Sequence, residues 1–203
     1  CQTQFYGMGA ALYGSFEIGT LWIYHTDTDD TGPWKMHGWQ DTELTYARGG
    51  YATHRAAPLH AFINRGKPGD WHQGNIQAST QPVFLPHEIR YYFVGTEARH
   101  QPSWEESTKR AGIGMARLRP DGFISLEAGA QPARLISKRL ALRTPGVFLN
   151  AVTRPGGWVR VAILDAENRE VPGFGFADCQ PFTGDATGAP VVWSGDPARI
   201  LPD

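Results

Sequence analysis

Residues Val83–His100 read VFLPHEIRYYFVGTEARH, and Gly112–Leu126 read GIGMARLRPDGFISL. Both runs alternate apolar and polar side chains, a Pro86-His87 corner precedes the first, and Asp121-Gly122 supplies a tight hairpin turn into the segment FISL. Together they predict one antiparallel unit of four short strands. The same unit recurs upstream: Glu17-Ile18 with LWIYH matches Glu88-Ile89 with RYYFV at an offset of 71, and Gly49-Gly50-Tyr51 matches Asp121-Gly122-Phe123 at an offset of 72. A period of that length built from four strands points to the blades of a β-propeller, two unrelated meanders of a sandwich being the alternative.

Working outward, the first unit takes Gly9–Tyr13 as an inner strand, Phe16–His25 as the second, Leu44–Arg48 as the third and Tyr51–Arg55 as the fourth. The intervening TDTDDTGPWKMHGWQD is expected to be a long loop, the kind of segment in which function concentrates. After a crossing from Pro58 to Asp70, Gly74–Ser79 opens the second unit, with Asp70, Trp71, His72 and Gln73 gathered at its mouth. Beyond Leu126 the pattern changes to strands spaced as in a β-sandwich, with Gly156-Gly157 as a hairpin turn. The expected organisation is all-β: residues 1–129 form about two C-terminal blades of a propeller, and 130–203 a β-sandwich domain that is incomplete at its C-terminal end.

Composition narrows the function. The 203 residues carry a net charge of −1, which gives no electrostatic reason to expect a nucleic-acid partner or an anionic membrane. No apolar run approaches the length of a membrane-spanning helix, so no membrane partner is expected. Seven Trp, seven Tyr and ten Phe suit packing against the C–H faces of sugars as well as ordinary core formation. The only cysteines, Cys1 and Cys179, have no metal-site spacing.

Two blades cannot close a ring, because each blade covers its neighbour's apolar face and an uncovered face is left wet. The sequence therefore predicts that the remaining blades come from a separate chain of the same precursor. A monomeric preparation that folds and melts cooperatively by itself would overturn that expectation.

The runs TQFYGM, LWIYHTD, ELTYARGG, GDWHQGNI, IRYYFVGTEARH and GIGMARLRPDGFISLEAG resemble the last two blades of five-bladed propeller proteins similar to glycoside hydrolase families 32 and 43. The segment LNAVTRPGGWVRVAILDAENREVPGFGFADCQPFTGD resembles their C-terminal sandwich. The resemblance covers nearly the whole chain. It implies about three further blades ahead of Cys1, a buried Cys179, and an active site in the propeller funnel. Two departures stand out: His72 and Thr53 occupy positions where such proteins carry an acidic and an aromatic residue.

Glycosidases flank the scissile bond with two carboxyls, one protonated through a raised pKa and one ionised. Glu97, which follows the strand YYFV and has Arg99 and His100 beside it, is the candidate acid, and Asp70 is the second carboxyl. Tyr6, His25, Trp71, His72, Arg99 and His100 are candidate substrate-binding residues. No cofactor is expected, although His25, His72 and His100 at equivalent strand ends leave a divalent metal open.

The leading function is that of a glycoside-hydrolase-like enzyme acting on a glycan or glycoside. One alternative is a self-processed hydrolase of an amide or ester in which the α-amine of Cys1 activates its own thiol. The other is a non-catalytic carbohydrate-binding propeller.

Overall fold

The computed structural model describes residues 3–26, 37–50, 52–100, 108–142 and 146–196. These residues are all-β, without a helix among them, and fall into two units: one within 1–125 and one within 126–203.

In the first unit, β1 (Thr3–Tyr13), β2 (Phe16–Thr26), β3 (Gly38–Ala47) and β4 (Thr53–Arg55) form an antiparallel meander. Next come β5 (Asn75–Ala78), β6 (Val83–Phe84), β7 (Ile89–Thr96) and β8 (Ala111–Leu118). β5 and β6 lie end to end along one edge of β7, and β8 pairs along the other. The two halves join into one eight-stranded sheet through a single parallel pair, Gln40 with Asn75.

That sheet curls so that each half turns one face inward. Ile76, Ala78, Ile89, Tyr91 and Phe93 form a core with Ile63, and Tyr13 of β1 and Phe62 pack against it. The halves approach closely at Gly9, where a Cβ would lie 2.4 Å from the Cα of Thr80. Only glycine fits a strand position with backbone at that distance. At the same side, Tyr13 donates its phenol to Asp121 Oδ1 at 2.8 Å and accepts from the Asp121 amide at 3.1 Å. Burial and this carboxylate together push the Tyr13 phenol above its ordinary pKa.

The outward faces differ in kind. Phe5, Met8 and Leu12 of β1 alternate onto a face where all three are exposed. On the far half, Tyr92 and Val94 of β7 and Ile113 and Met115 of β8 share the face opposite to the core and are exposed as well.

Several strands depart from expectation. β1 begins at Thr3 and β3 at Gly38, so the end of the expected loop before Leu44 is strand. Alternation was concealed there because Gln40, Thr42, Glu43 and Thr45 are polar and yet buried. Asp121, at φ 58°, and Gly122 do form a turn closed by a Gly122 N–H to Arg119 carbonyl bond of 3.0 Å, but no strand follows. Ile124 and Leu126 are exposed and have no ladder to join.

In the second unit, β9 (Phe148–Val152) and β10 (Asp185–Pro190) pair antiparallel. Elsewhere Val159 with Phe182, Leu164 with Glu170, and Cys179 with Trp193 form isolated bridges. Phe174, Cys179 and Trp193 make the core, flanked by Val147, Val161, Ile163, Val171 and Val191. Cys179 is buried, as the resemblance implies, and accepts a 3.3 Å hydrogen bond from the Val161 amide. Gly156 and Gly157 do form a turn, with Gly156 at φ 79° and Gly157 N–H bonded to the Arg154 carbonyl at 2.8 Å, but not the expected hairpin: β9 before it pairs with β10, and Val159 after it bridges to Phe182.

Candidate functional site

The antiparallel order brings the start of β1, the end of β2, the start of β3, the start of β5, the end of β7 and the start of β8 to one end of the curled sheet. Every described candidate from the sequence lies at that end. Cys1 is outside the described residues.

Adjacent residues in β2 point to opposite faces, and two groupings result. On one face, Tyr24 is fully buried and packs 5.0 Å from the His100 ring and 5.7 Å from Tyr6. Tyr6 Oη and His100 Nε2 share a hydrogen bond of 2.9 Å, and the His100 amide donates to the Gly38 carbonyl at 2.9 Å.

On the other face, the His25 ring stacks on Trp39 at 5.5 Å and 19°, because the register sets these two residues opposite each other. His25 Nε2 lies 3.4 Å from Asp41 Oδ2, and Arg65 donates through Nε to Asp41 Oδ1 at 2.7 Å. Arg65 also donates through Nη1 to the Gln73 carbonyl at 2.9 Å. The guanidinium carbons of Arg65 and Arg99 sit 5.1 and 5.9 Å from the Trp39 ring centroid. Trp39 is thus a platform that gathers one imidazole and two guanidiniums, and His25 and Arg65 also share the Asp41 carboxylate.

The arc continues into the segment before β5. Asp70 accepts from the Lys67 amide at 2.8 Å, which is the geometry of a turn residue, and it is exposed. Trp71 stacks on Phe93 at 6.1 Å, and His72 packs against Trp71 at 4.8 Å. His72 Nδ1 is buried without a hydrogen-bond partner among the described residues. Nearby, Arg110 donates to Glu97 Oε2 at 2.8 Å and to the Gly69 carbonyl at 2.8 Å. The Arg110 hydrogen bond holds the Glu97 carboxyl below the usual range against a smaller opposing contribution from desolvation. Glu97 is therefore kept ionised, the opposite of the protonated state that a general acid needs, and the geometry suits it to a base, a nucleophile or a fixed ion pair.

The structure accordingly brings Tyr6 and His100 together on one face, and His25 and Arg99 together around Trp39 on the other. Asp70, Trp71, His72 and Glu97 form the third part of the arc. His25 and His100 serve opposite faces, and among the described residues no three His, Cys, Asp or Glu side chains group as a metal site would require. Sequence reasoning missed Trp39, Asp41, Arg65 and Arg110. The first two lay inside the expected loop, and the arginines gain their meaning only from carboxylates 24 and 13 residues away.

A search for relatives found no family model, no curated protein and no solved structure that matches this chain. The fold defines the class as an all-β protein with a curled, largely antiparallel sheet, and the function has to be argued from the site.

Proposed function

We propose that the unit within 1–125 supplies blades of a glycoside-hydrolase-like propeller, and that the end of its sheet bearing Trp39 and Asp41 forms part of a glycan-binding, glycan-cleaving funnel. The carrying observation is the convergence of Asp41, His25, Arg65 and Arg99 around one indole. Carboxylate and guanidinium groups fixed on an aromatic platform are the donors and acceptors that bind sugar hydroxyls, and a carboxylate such as Asp41 or Glu97 is one half of a glycosidase pair. Its protonated counterpart comes from a companion segment.

The two bare apolar faces support the same reading. Phe5, Met8 and Leu12 at one side and Tyr92, Val94, Ile113 and Met115 at the other are the surfaces that neighbouring blades of a companion chain would cover.

Titration of the chain, alone and with its companion, against neutral oligosaccharides of different linkage tests the proposal, with reducing-end release as the measure of hydrolysis. Saturable binding that weakens in Asp41→Asn is the expected result. Binding without bond cleavage in the reconstituted assembly would restrict the protein to a carbohydrate-binding role, and no binding to any glycan would overturn the reading. Native mass spectrometry of the protein from its source checks the ring: a stable lone monomer would remove the companion.

A further inference from the structure

We propose that the second unit carries a separate binding groove for an acidic oligosaccharide, centred on Trp158 and the guanidiniums of Arg154 and Arg160. The groove has a volume of about 720 Å³ and lies between the 153–160 turn and the 181–184 segment. Its two walls are clamped together. Thr153 N–H donates to the Gly184 carbonyl at 2.8 Å, Gly184 N–H donates to Thr153 Oγ1 at 2.7 Å, and Val159 and Phe182 exchange backbone bonds of 3.0 and 2.9 Å. The shape is therefore set before any ligand arrives.

Two features of the lining point to the ligand. Trp158 is 56% exposed, with the Arg160 guanidinium carbon 5.5 Å from its ring centroid, so that a large apolar ring is held in place and left wet. Among the described residues, the charged ones lining the groove are Arg154 and Arg160. Elsewhere Arg55, Arg65, Arg90, Arg110, Arg117 and Arg169 each have a carboxylate within ion-pair distance, whereas among the described residues Arg48, Arg134 and Arg139 have none. Among the described residues neither Arg154 nor Arg160 has one; the polar contact of the Arg160 side chain is Nη1 to the Phe176 carbonyl at 3.4 Å.

An indole that offers its face to the C–H side of a pyranose, beside two guanidiniums with no internal counter-charge, matches a sugar bearing a carboxylate or a sulfate. The groove is open, which suits an internal stretch of a chain. Nucleic acid fits less well, since two arginines on a protein of net charge −1 provide few phosphate contacts. This inference does not depend on the function proposed for the first unit.

Affinity electrophoresis of the full chain through gels containing polygalacturonate, chondroitin sulfate or neutral dextran tests it. The expected result is retardation by at least one acidic polymer and none by dextran, the better of the two distinguishing carboxylate from sulfate. Arg154→Gln should weaken retardation by about tenfold, as loss of a charge-assisted pair does. Trp158→Ala should abolish it, and salt at about 0.5 M should suppress it by screening. Both side chains are exposed, and an unchanged melting temperature verifies that each variant is folded. Arg48→Gln, at an exposed arginine of the other unit outside the candidate site, should leave retardation unchanged, which separates loss of this groove from loss of a positive charge anywhere on the protein. Absence of retardation by either acidic polymer, equal retardation by dextran or by a DNA oligonucleotide, or indifference to both groove substitutions would overturn the proposal.

Discussion

Arg65 donates to Asp41 at 2.7 Å with the same guanidinium that reaches the Gln73 carbonyl at 2.9 Å, so this pair ties the start of β3 to the chain entering β5. The sheet's two halves meet at that point through only one parallel residue pair, Gln40 with Asn75. The ion pair therefore both shapes the candidate site and reinforces the joint. Its members are largely shielded, with side-chain exposures of 29% for Arg65 and 20% for Asp41.

Asp41→Asn keeps the size of the side chain and removes its charge. Stability measured by urea denaturation should fall by about 1–2 kcal/mol, the size of a charge-assisted hydrogen bond. Glycan affinity measured by calorimetry should fall by about tenfold if the aspartate touches substrate. A loss of stability with unaltered affinity would leave Asp41 as a joint residue only.

Glu43 is the most secluded described carboxylate of the sheet, with a side-chain exposure of 4%. It accepts two bonds of 2.6 Å from Arg55 and one of 2.9 Å from the Leu59 amide. Arg55→Leu strands that charge and should destabilise the first unit by about 3 kcal/mol. The double replacement Glu43→Leu with Arg55→Leu should recover a large part of the loss, because two apolar side chains need no counter-charge. Chemical denaturation of the single and double variants measures both effects.

Tyr91 is 2% exposed, and its hydroxyl has no hydrogen-bond partner among the described residues. Burial pushes its pKa up to about 12. The folded value is the higher one, so the contribution to stability is whole below the ordinary tyrosine value of about 10 and is lost as pH rises through the folded value. Tyr91→Phe should raise the melting temperature at neutral pH, since it removes a buried hydroxyl worth about 1 kcal/mol of unmet solvation. It should also blunt the alkaline loss of stability. A fall in melting temperature would mean that the hydroxyl is satisfied.

Glu97 presents the reverse case. Arg110 holds its carboxyl below the usual range, so its contribution is complete above the ordinary carboxylate pKa and fades as pH falls through the lower folded value. Arg110 is 62% exposed, and solvent screening keeps the effect small. Glu97→Gln should flatten the acid limb of melting temperature against pH while leaving the neutral value almost unchanged. Activity untouched by the same substitution would take Glu97 out of the chemistry.

Much of the strand content could be read from the chain. Phe16–Thr26 and Ile89–Thr96 are recognisable because apolar residues recur on alternate positions and the runs are bounded by turns such as Gly14-Ser15. The part of Gly38–Ala47 that precedes Leu44 was not, since its inward face is built from Gln40 and Thr42 and its other face from Trp39, Asp41 and Glu43. Polar residues that pair inside a fold look like loop residues in a string of letters. The site suffered for it, because Trp39 and Asp41 stand on the strand that was read as loop.

Periodicity and turn chemistry act between neighbours in the chain, and so the sequence alone carried the all-β class, most of the strands and the concentration of His, Trp and charged residues near strand ends. Pairing of those residues belongs to register and curl, which act across long separations. Tyr6 meets His100 over 94 residues and Tyr13 meets Asp121 over 108. Nothing local distinguishes Arg65, bonded to Asp41, from Arg154, which has no carboxylate beside it among the described residues; only the folding of each unit assigns a counter-charge to one and leaves the other exposed.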